Sequence, residues 1–582
     1  MHLAAVHVPP QAAIRGSGLS GFWLTCSVVG VALAWLLPNH YAPWTTFHMD
    51  AWMACVLSVV AGWLFLRARA AAPWTGTPLV LLLAVAVPGL QYATGLVVQP
   101  GTAWICTAYL LGFLLAWLAG AQWESGTPGQ LGEALFAAIG VAALLSVGLA
   151  LHQGLLLDRL DVWAMGGGAT RATANLGQPN QLGTLLVWGL LAIGWAHVRQ
   201  RIGVGVSLFA AAFLMLGIAM TGSRTAWVAL LLLMAAVWWW RRLWPQRGTP
   251  LALAGLGAWF MLCVATVGPL LQWILGVVDS DVADIVRISG EARPTLWALF
   301  LDASLQRPWF GYGWGQVSLA FMEVATEHPS LQVHFSHSHN LFLDLILWCG
   351  WPLGLAFSAF LLWWIVSRAL RVRNAQDALL FLLVLVVANH AMLELPLHHA
   401  YFLLPVGLVM GALDMRLGIR ARLQAGRWRL PLVGILWLLA AALLAGIIRD
   451  YTRVETAYQG LRYEWANIRT PPVQPPDVLL LTQWRDFVRM VKWDSTQPAS
   501  AADLRWMEHV TSLNPNIGLF QIYAMALARS GQPDKAAHWL RTMCKALPEA
   551  QCARVASFWR FKAGSDPVLA AVPWPSGAEA RP

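Results

Sequence analysis

What most constrains this chain is the repetition of apolar stretches long enough to cross a lipid bilayer. A hydrocarbon core of about 30 Å takes roughly 20 apolar residues per helical crossing. Runs of about that length recur near 19–37, 49–67, 77–98, 103–120, 132–153, 182–197, 203–220, 225–240, 250–277, 340–367, 377–392, 400–416 and 430–448. Charged residues make up 11% of the chain, where a soluble domain carries about a quarter. The expected fold is an all-α polytopic membrane protein with about 12–13 transmembrane helices. The first run follows a tail whose single basic residue is Arg15, and its length reads as a retained anchor in preference to a cleaved signal peptide. Many of the 35 tryptophans stand at run ends, as in Trp238, Trp239 and Trp240 or Trp363 and Trp364, which fits interfacial anchoring better than a sugar-stacking platform.

The arginines orient the runs, because cytoplasmic loops collect Lys and Arg near helix ends. Alternate connections hold Arg67 and Arg69; Arg199 and Arg201; Arg241, Arg242 and Arg247; Arg368, Arg371 and Arg373; and Arg416, Arg420, Arg422, Arg427 and Arg429. The net charge of +10 mostly expresses this asymmetry and carries no implication of nucleic-acid binding. Arg159, Arg171, Arg224, Arg287, Arg293 and Arg307 fall on the opposite side, in or beside two long connections and one short turn, which makes them the informative exceptions.

The chain divides into an N-terminal cytoplasmic tail (1–18), a first membrane region (19–277) with an outer loop at 154–181, a large periplasmic loop (278–338), a second membrane region (339–448) and a periplasmic helical domain (449–582). The segment 278–338 is too long for a mere connector. It opens with Asp279, Asp281 and Asp284, passes through GYGWGQ at 311–316 and ends in HFSHSHN at 334–340. In the tail, residues 517–548 read as two amphipathic helices broken at Gly531 and Pro533, a tetratricopeptide-like hairpin. A single hairpin makes no solenoid, so a helical cap on the membrane body is the expected role. Five of the seven cysteines (Cys26, Cys55, Cys106, Cys263, Cys349) lie in apolar runs, where a thiol acts as a small apolar residue. Cys544 and Cys552 lie in the tail, which an odd number of crossings places outside, and are expected to form a disulfide.

Five clusters carry polar chemistry near the outer ends of the runs. GGGATRATANLGQPNQLG (166–183) offers Arg171, whose planar fork suits phosphate oxygens, with the amides of Asn175, Gln178 and Asn180 as sugar or phosphate partners. A generic loop would have a similar composition. TGSRTAW (221–227) holds Arg224 near membrane depth, either as a functional group or as an arginine reaching for headgroups. EARPTLW supplies Arg293 and Trp297; the following glycines lack a P-loop ending and read as a turn for close packing. His334, His337, His339 and Asn340 suit general-base chemistry better than metal binding, since no ligand spacing accompanies them. HAMLELPLHHAYFLLP (390–405) adds His390, Glu394, His398, His399 and Tyr401; Glu394 would orient a histidine, bind a sugar hydroxyl or pair with an arginine.

RATANLGQPNQL, the TGSR turn, SHSHN and LELPLHHAYFLLP, in this order, resemble the bacterial O-oligosaccharyltransferases of the PglL type, within the O-antigen ligase and polymerase superfamily. NHYAPWTTFHMD (39–50) resembles that family's N-terminal pattern. One departure is Gly350-Trp-Pro-Leu-Gly354, where superfamily ligases often place two glycines three apart. The resemblance implies a multi-pass protein of the bacterial inner membrane that moves an oligosaccharide from undecaprenyl pyrophosphate to Ser or Thr hydroxyls of an exported protein such as a pilin, at the periplasmic face. It implies that Arg171, Arg224 and Arg293 bind pyrophosphate and that His339, or failing it His337, is the base. Asn175, Gln178, Asn180, Asn340, Glu394 and Tyr401 would handle substrate, with membrane lipids as the other partner and no cofactor, metal or nucleotide. The alternatives are an O-antigen ligase with a lipid A-core acceptor or an O-antigen polymerase. A lipid-linked sugar transporter fits less well, because charged groups are expected to collect on one face.

Overall fold

The structure, a computed structural model, describes residues 21–157, 159–160, 162–166, 171–244, 249–275, 282–423, 429–469 and 471–574, with the backbone alone for Thr249 and for 282–292. The expectations for the tail 1–18, for Asp279 and Asp281 and for the side chains of Asp284 and Arg287 lie outside what is described. Helices dominate: α1 (Gly21–Ala34), α2 (Phe47–Arg67), α3 (Thr77–Ala93), α4 (Pro100–Gly126), α5 (Gln130–Gly154), α6 (Pro179–Val198), α7 (Val204–Thr221), α8 (Arg224–Trp239), α9 (Thr249–Leu275), α10 (Val282–Gln306), α11 (Val317–Val324), α12 (Leu341–Ala369), α13 (Ala375–Ala391), α14 (Ala400–Arg416) and α15 (Arg429–Trp465). The tail adds α16 (Thr482–Val491), α17 (Ala501–Leu513), α18 (Ile517–Arg529), α19 (Pro533–Ala546), α20 (Glu549–Ala563) and α21 (Pro567–Ala570).

Each of the thirteen apolar runs is a helix. Among the described residues eight helices are long and apolar enough to cross a membrane, and the other five runs give helices of 14 to 17 residues. The chain is therefore a multi-pass membrane protein. Its centre is the pairing of α4 with α14, which approach closely because small residues line the seam. A Cβ added to Gly120 would stand 1.9 Å from the Leu408 carbonyl oxygen, and one on Gly411 would stand 2.0 Å from that of Trp117.

Three expectations change. The last span does not stop at 448: α15 runs on to Trp465 and carries the chain out of the membrane body as one rod. The segment 278–338 is not simply a loop, since it holds α10 and α11. Charged groups do not collect on one face either. Arg368 and Asp414 pair at 2.9 Å with both side chains fully buried, Asp414 also accepts from the hydroxyls of Thr75 and Thr77, and Arg416 pairs with Asp377 and Glu124. Asp414 lies at the opposite end of α14 from His399. Trp364 is buried beneath Arg368 instead of anchoring at the interface, whereas Trp238 and Trp239 are exposed.

α12 breaks at Gly350, whose φ of 76° is open to glycine at little cost. The break frees the Trp351 N–H and the Leu347 carbonyl from their helical bond. Both find partners in the turn after α10: Trp351 N donates to Pro308 O at 2.8 Å and Tyr312 N donates to Leu347 O at 2.7 Å. Pro352 has no N–H for Trp348 O, which instead accepts from Gln91 Nε2 at 2.8 Å, while Gln91 Oε1 accepts from Trp314 N. The three backbone groups that the kink and Pro352 release thus all have partners, as lipid requires.

A cavity of about 1030 Å³ opens between α3, α4, α12, α13 and α14. Leu81, Phe113, Leu345, Phe357 and Leu361 line its apolar length, and His398 and His399 close one end. The tail shares an apolar core with α10, α11 and the first half of α12, so it caps the membrane body. Cys544 and Cys552 are bonded, with Cα atoms 5.0 Å apart.

Candidate functional site

The site is organised around one carboxylate. Glu394 lies in the short connection between α13 and α14 and is mostly buried, with 13% of its side chain exposed. Its Oε2 faces His339 Nδ1 at 3.0 Å, and its Oε1 accepts from Arg293 Nη2 at 3.1 Å and from Asn180 Nδ2 at 3.2 Å. Four distant stretches of sequence meet there. Burial pushes the Glu394 pKa up, but the hydrogen bond and charge of His339, with His390 and Arg293, outweigh it and hold the carboxyl below its ordinary value.

Asn180 extends the network, since its Oδ1 accepts from Ser223 Oγ at 2.7 Å. Ser223 is the N-cap of α8 and also accepts from Ala226 N, the geometry that makes serine a good cap. The TGSR turn is tied to Glu394 in this way. Arg171 leans on the same turn, donating from Nε to Thr221 O at 2.8 Å and from Nη2 to Gly222 O at 3.4 Å. Its pKa is pulled down by burial and by Arg224, and pushed up by Glu394. Arg224 is the first residue of α8, where the helix dipole adds positive potential, and its side chain is exposed.

His339 occupies the left-handed region at φ 56°, costly for a non-glycine residue and held only by its surroundings. Ser338 provides the hold. It is fully buried, its N–H donates to Asp344 Oδ1 at 2.8 Å, and its carbonyl accepts from Trp297 Nε1 at 3.0 Å. Asn340 caps α12 by accepting from the N–H groups of Phe342 and Leu343. His337 lies 4.0 Å from His339 between ring centroids. Burial first, then His339, His398, His334 and His399, push its pKa down to about 2. Burial lowers His334 and His398 to about 4 each, and burial with His398, His390 and His40 lowers His399 to about 3.

The remaining candidates shape the site from behind. Asn175 is fully buried; both amide hydrogens go to Leu36 O and Trp163 O, and its oxygen accepts from Met165 N. Gln178 caps α6 by accepting from Gln181 N. Tyr401 is fully buried and donates to Gln181 Oε1 at 2.7 Å, and Gln181 Nε2 sits 2.8 Å from His399 Nε2. Asp50 accepts from Ala400 N at 2.6 Å and so fastens the start of α14 to α2. Trp297, Ser338, Asp344, Gln181 and Ser223 are contributors that reading the sequence did not place in these roles. Trp297, Ser338, Gln181 and Ser223 did stand inside the quoted motifs, and Asp344 was legible as an acid in an apolar run. Among the described residues no group of three or more His, Cys, Asp or Glu could hold a metal ion.

Residues 209–358 match the family model described as O-antigen ligase, and residues 378–561 match the one described as virulence factor membrane-bound polymerase, C-terminal. A general O-oligosaccharyltransferase of Acinetobacter baylyi (strain ATCC 33305 / BD413 / ADP1) is 30% identical over 525 residues, covering 88% of this chain and 90% of that protein. A ComP-specific O-oligosaccharyltransferase of the same strain is 31% identical over 245 residues, 41% of this chain and 43% of its own length.

Proposed function

The chain belongs to the bacterial O-oligosaccharyltransferases of the O-antigen ligase superfamily, and from that membership we propose that it moves a glycan en bloc from undecaprenyl pyrophosphate to Ser or Thr hydroxyls of an exported protein such as a pilin, at the periplasmic face of the inner membrane. The observation that carries this reading is Glu394 joined at once to His339, Arg293 and Asn180 beside the mouth of an apolar cavity. The cavity suits the polyprenyl tail. Arg171, Arg224 and Arg293 neutralise the pyrophosphate and stabilise the charge that builds on it as the glycosidic bond breaks.

The Glu394 carboxylate accepts the Nδ1 proton of His339, which leaves the Nε2 lone pair to act as base. The acceptor hydroxyl gives its proton to Nε2 as its oxygen bonds the anomeric carbon, and the bond from that carbon to the phosphate oxygen breaks, with its electrons leaving on undecaprenyl pyrophosphate. His337, held neutral far below its ordinary pKa, is a poor base by comparison. Asn175, Gln178 and Tyr401 act by positioning the loops and helices around the reactants, and Asn340 by setting the turn that presents His339.

The test is co-expression with a lipid-linked glycan pathway and a candidate pilin, read by intact mass. A glycan-sized gain that disappears in His339→Ala supports the reading; an unchanged gain in that variant removes His339 from the chemistry. Glycan transfer to deacylated lipid A-core with none to protein would favour the ligase reading, for which the match over 209–358 is the specific observation.

A further inference from the structure

The outer segment carries an apolar surface that the proposed reaction does not use. The second half of α10 turns Pro294, Ala298, Leu301 and Leu305 outward at helical spacing. The turn after it ends in Trp309 and Phe310, which are 71% and 74% exposed. A contiguous apolar face of this kind marks a contact surface, and its level in the molecule identifies what it touches.

A Cβ on Gly350 would stand 2.3 Å from Trp309 O, and Trp351 N donates to Pro308 O, so the turn is fixed to α12 at its kink. Two residues before the kink, Trp348 O accepts from Gln91, which lies two residues from the Ala93 end of α3. α3 is one of the apolar spans, so Trp309 and Phe310 stand at the level where α3 leaves the bilayer. Neighbouring surfaces are lipid-facing: Leu83 and Leu90 of α3, and Leu355 and Trp363 of α12 below the kink, are all exposed. The apolar face of α10 continues theirs. Arg307, which ends α10's apolar stripe, pairs with Glu323 and lies 4.6 Å over the Tyr312 ring, so the charge flanks the aromatic pair instead of interrupting it. Aromatic and leucine side chains on one side with a cation beside them is the pattern of an element lying at the headgroup–acyl boundary.

We propose that residues 294–310 form an interfacial element whose partner is the lipid of the leaflet on the Glu394 side, with Leu301, Leu305, Trp309 and Phe310 set among headgroups and upper acyl chains. The consequence for chemistry rests on the proposed function. α10 also carries Arg293, bonded to Glu394, and Trp297, bonded to Ser338 O. Lipid contact at the tip therefore sets the height at which the base and its carboxylate stand above the bilayer, where a membrane-anchored donor has to meet a water-borne acceptor.

The experiment uses the full chain in bilayers of phosphatidylethanolamine and phosphatidylglycerol, with the photoreactive residue p-benzoylphenylalanine placed at 309 or at 310 and, as a lipid-facing reference, at 355. After irradiation, mass spectrometry should find phospholipid adducts at 309 and 310 in yields comparable to that at 355. Adducts at 355 with none at 309 and 310 would overturn the proposal, as would capture of a co-reconstituted acceptor pilin at 309 and 310 in place of lipid. Two positions guard against one variant that fails to insert. The readout does not depend on glycosyl transfer, so a failure here is distinct from a failure of the proposed function.

Discussion

Glu394 holds three partners with two oxygens, and the consequences of altering it differ from those of altering the base. His339→Ala removes the proposed proton acceptor and should lower transfer by about 10²–10⁴-fold. His337→Ala should retain most of it, and equal losses in the two would refute the assignment. Glu394→Gln keeps the shape and removes the charge. It should slow transfer by at least about 10-fold, the lower end of what losing the carboxylate that orients a histidine costs. An unchanged rate in Glu394→Gln would show that the carboxylate does not act through His339. Gly350→Ala places a side chain at φ 76° and 2.3 Å from a carbonyl oxygen. Strain alone should cost about 1–3 kcal/mol, read as a lower melting temperature of the purified protein. At this scale the sequence made Glu394, His339 and the arginines legible because charged and titratable groups are rare among apolar runs. Asn180 meeting Ser223 and Trp297 meeting Ser338 were not legible, because residues that far apart along the chain are joined only by folding.

At the scale of elements, the four lowered histidines beside the site make a stability prediction. His334, His337, His398 and His399 are held neutral, with pKa values from about 4 down to about 2, against an ordinary 6.5. Their folded values lie below the unfolded one, so below pH 6.5 the unfolded chain binds more protons than the native protein and stability falls. Above that pH both states are neutral and the effect is absent. The melting temperature in detergent should be flat near pH 7–8 and drop as pH falls from 6.5 towards 4, and replacing His398 with Gln should flatten the drop. A melting temperature that does not fall over that range would mean these rings already reach water. The helices themselves were largely legible, since every apolar run became one. α10 was not: its mean hydropathy is low, its first half is polar, and Pro294 sits within it. The tail has more helices than the single hairpin its sequence advertised: α16 is only 10 residues long, and α20 carries weak apolar spacing.

At the scale of the whole molecule, membrane body and tail meet through the outer segment. Ser330 Oγ donates to Lys545 O at 3.0 Å, and His328 faces Asp302 at 3.0 Å. Lys545 stands beside Cys544, so the disulfide with Cys552 secures the end of α19 that touches this contact. Closing so short a loop contributes roughly 2–3 kcal/mol through the unfolded chain. Reduction should therefore make the tail sensitive to protease while the membrane helices stay protected; a tail equally resistant with and without reductant would show that its packing alone suffices.

The exchange of backbone partners at Gly350 also bears on when the site can come into being. As the chain emerges from the ribosome, Pro308 and Tyr312 appear about forty residues ahead of Leu347 and Trp351, and they must already be in place beside α12 before it can bend. An unbent α12 would keep Trp351 N bonded to Leu347 O, whereas bending before those partners arrive would strand both groups in a layer that offers no water. The first half of α12, with the turn bearing His339 at its start, accordingly takes its final direction only once the turn at 308–312 is beside it.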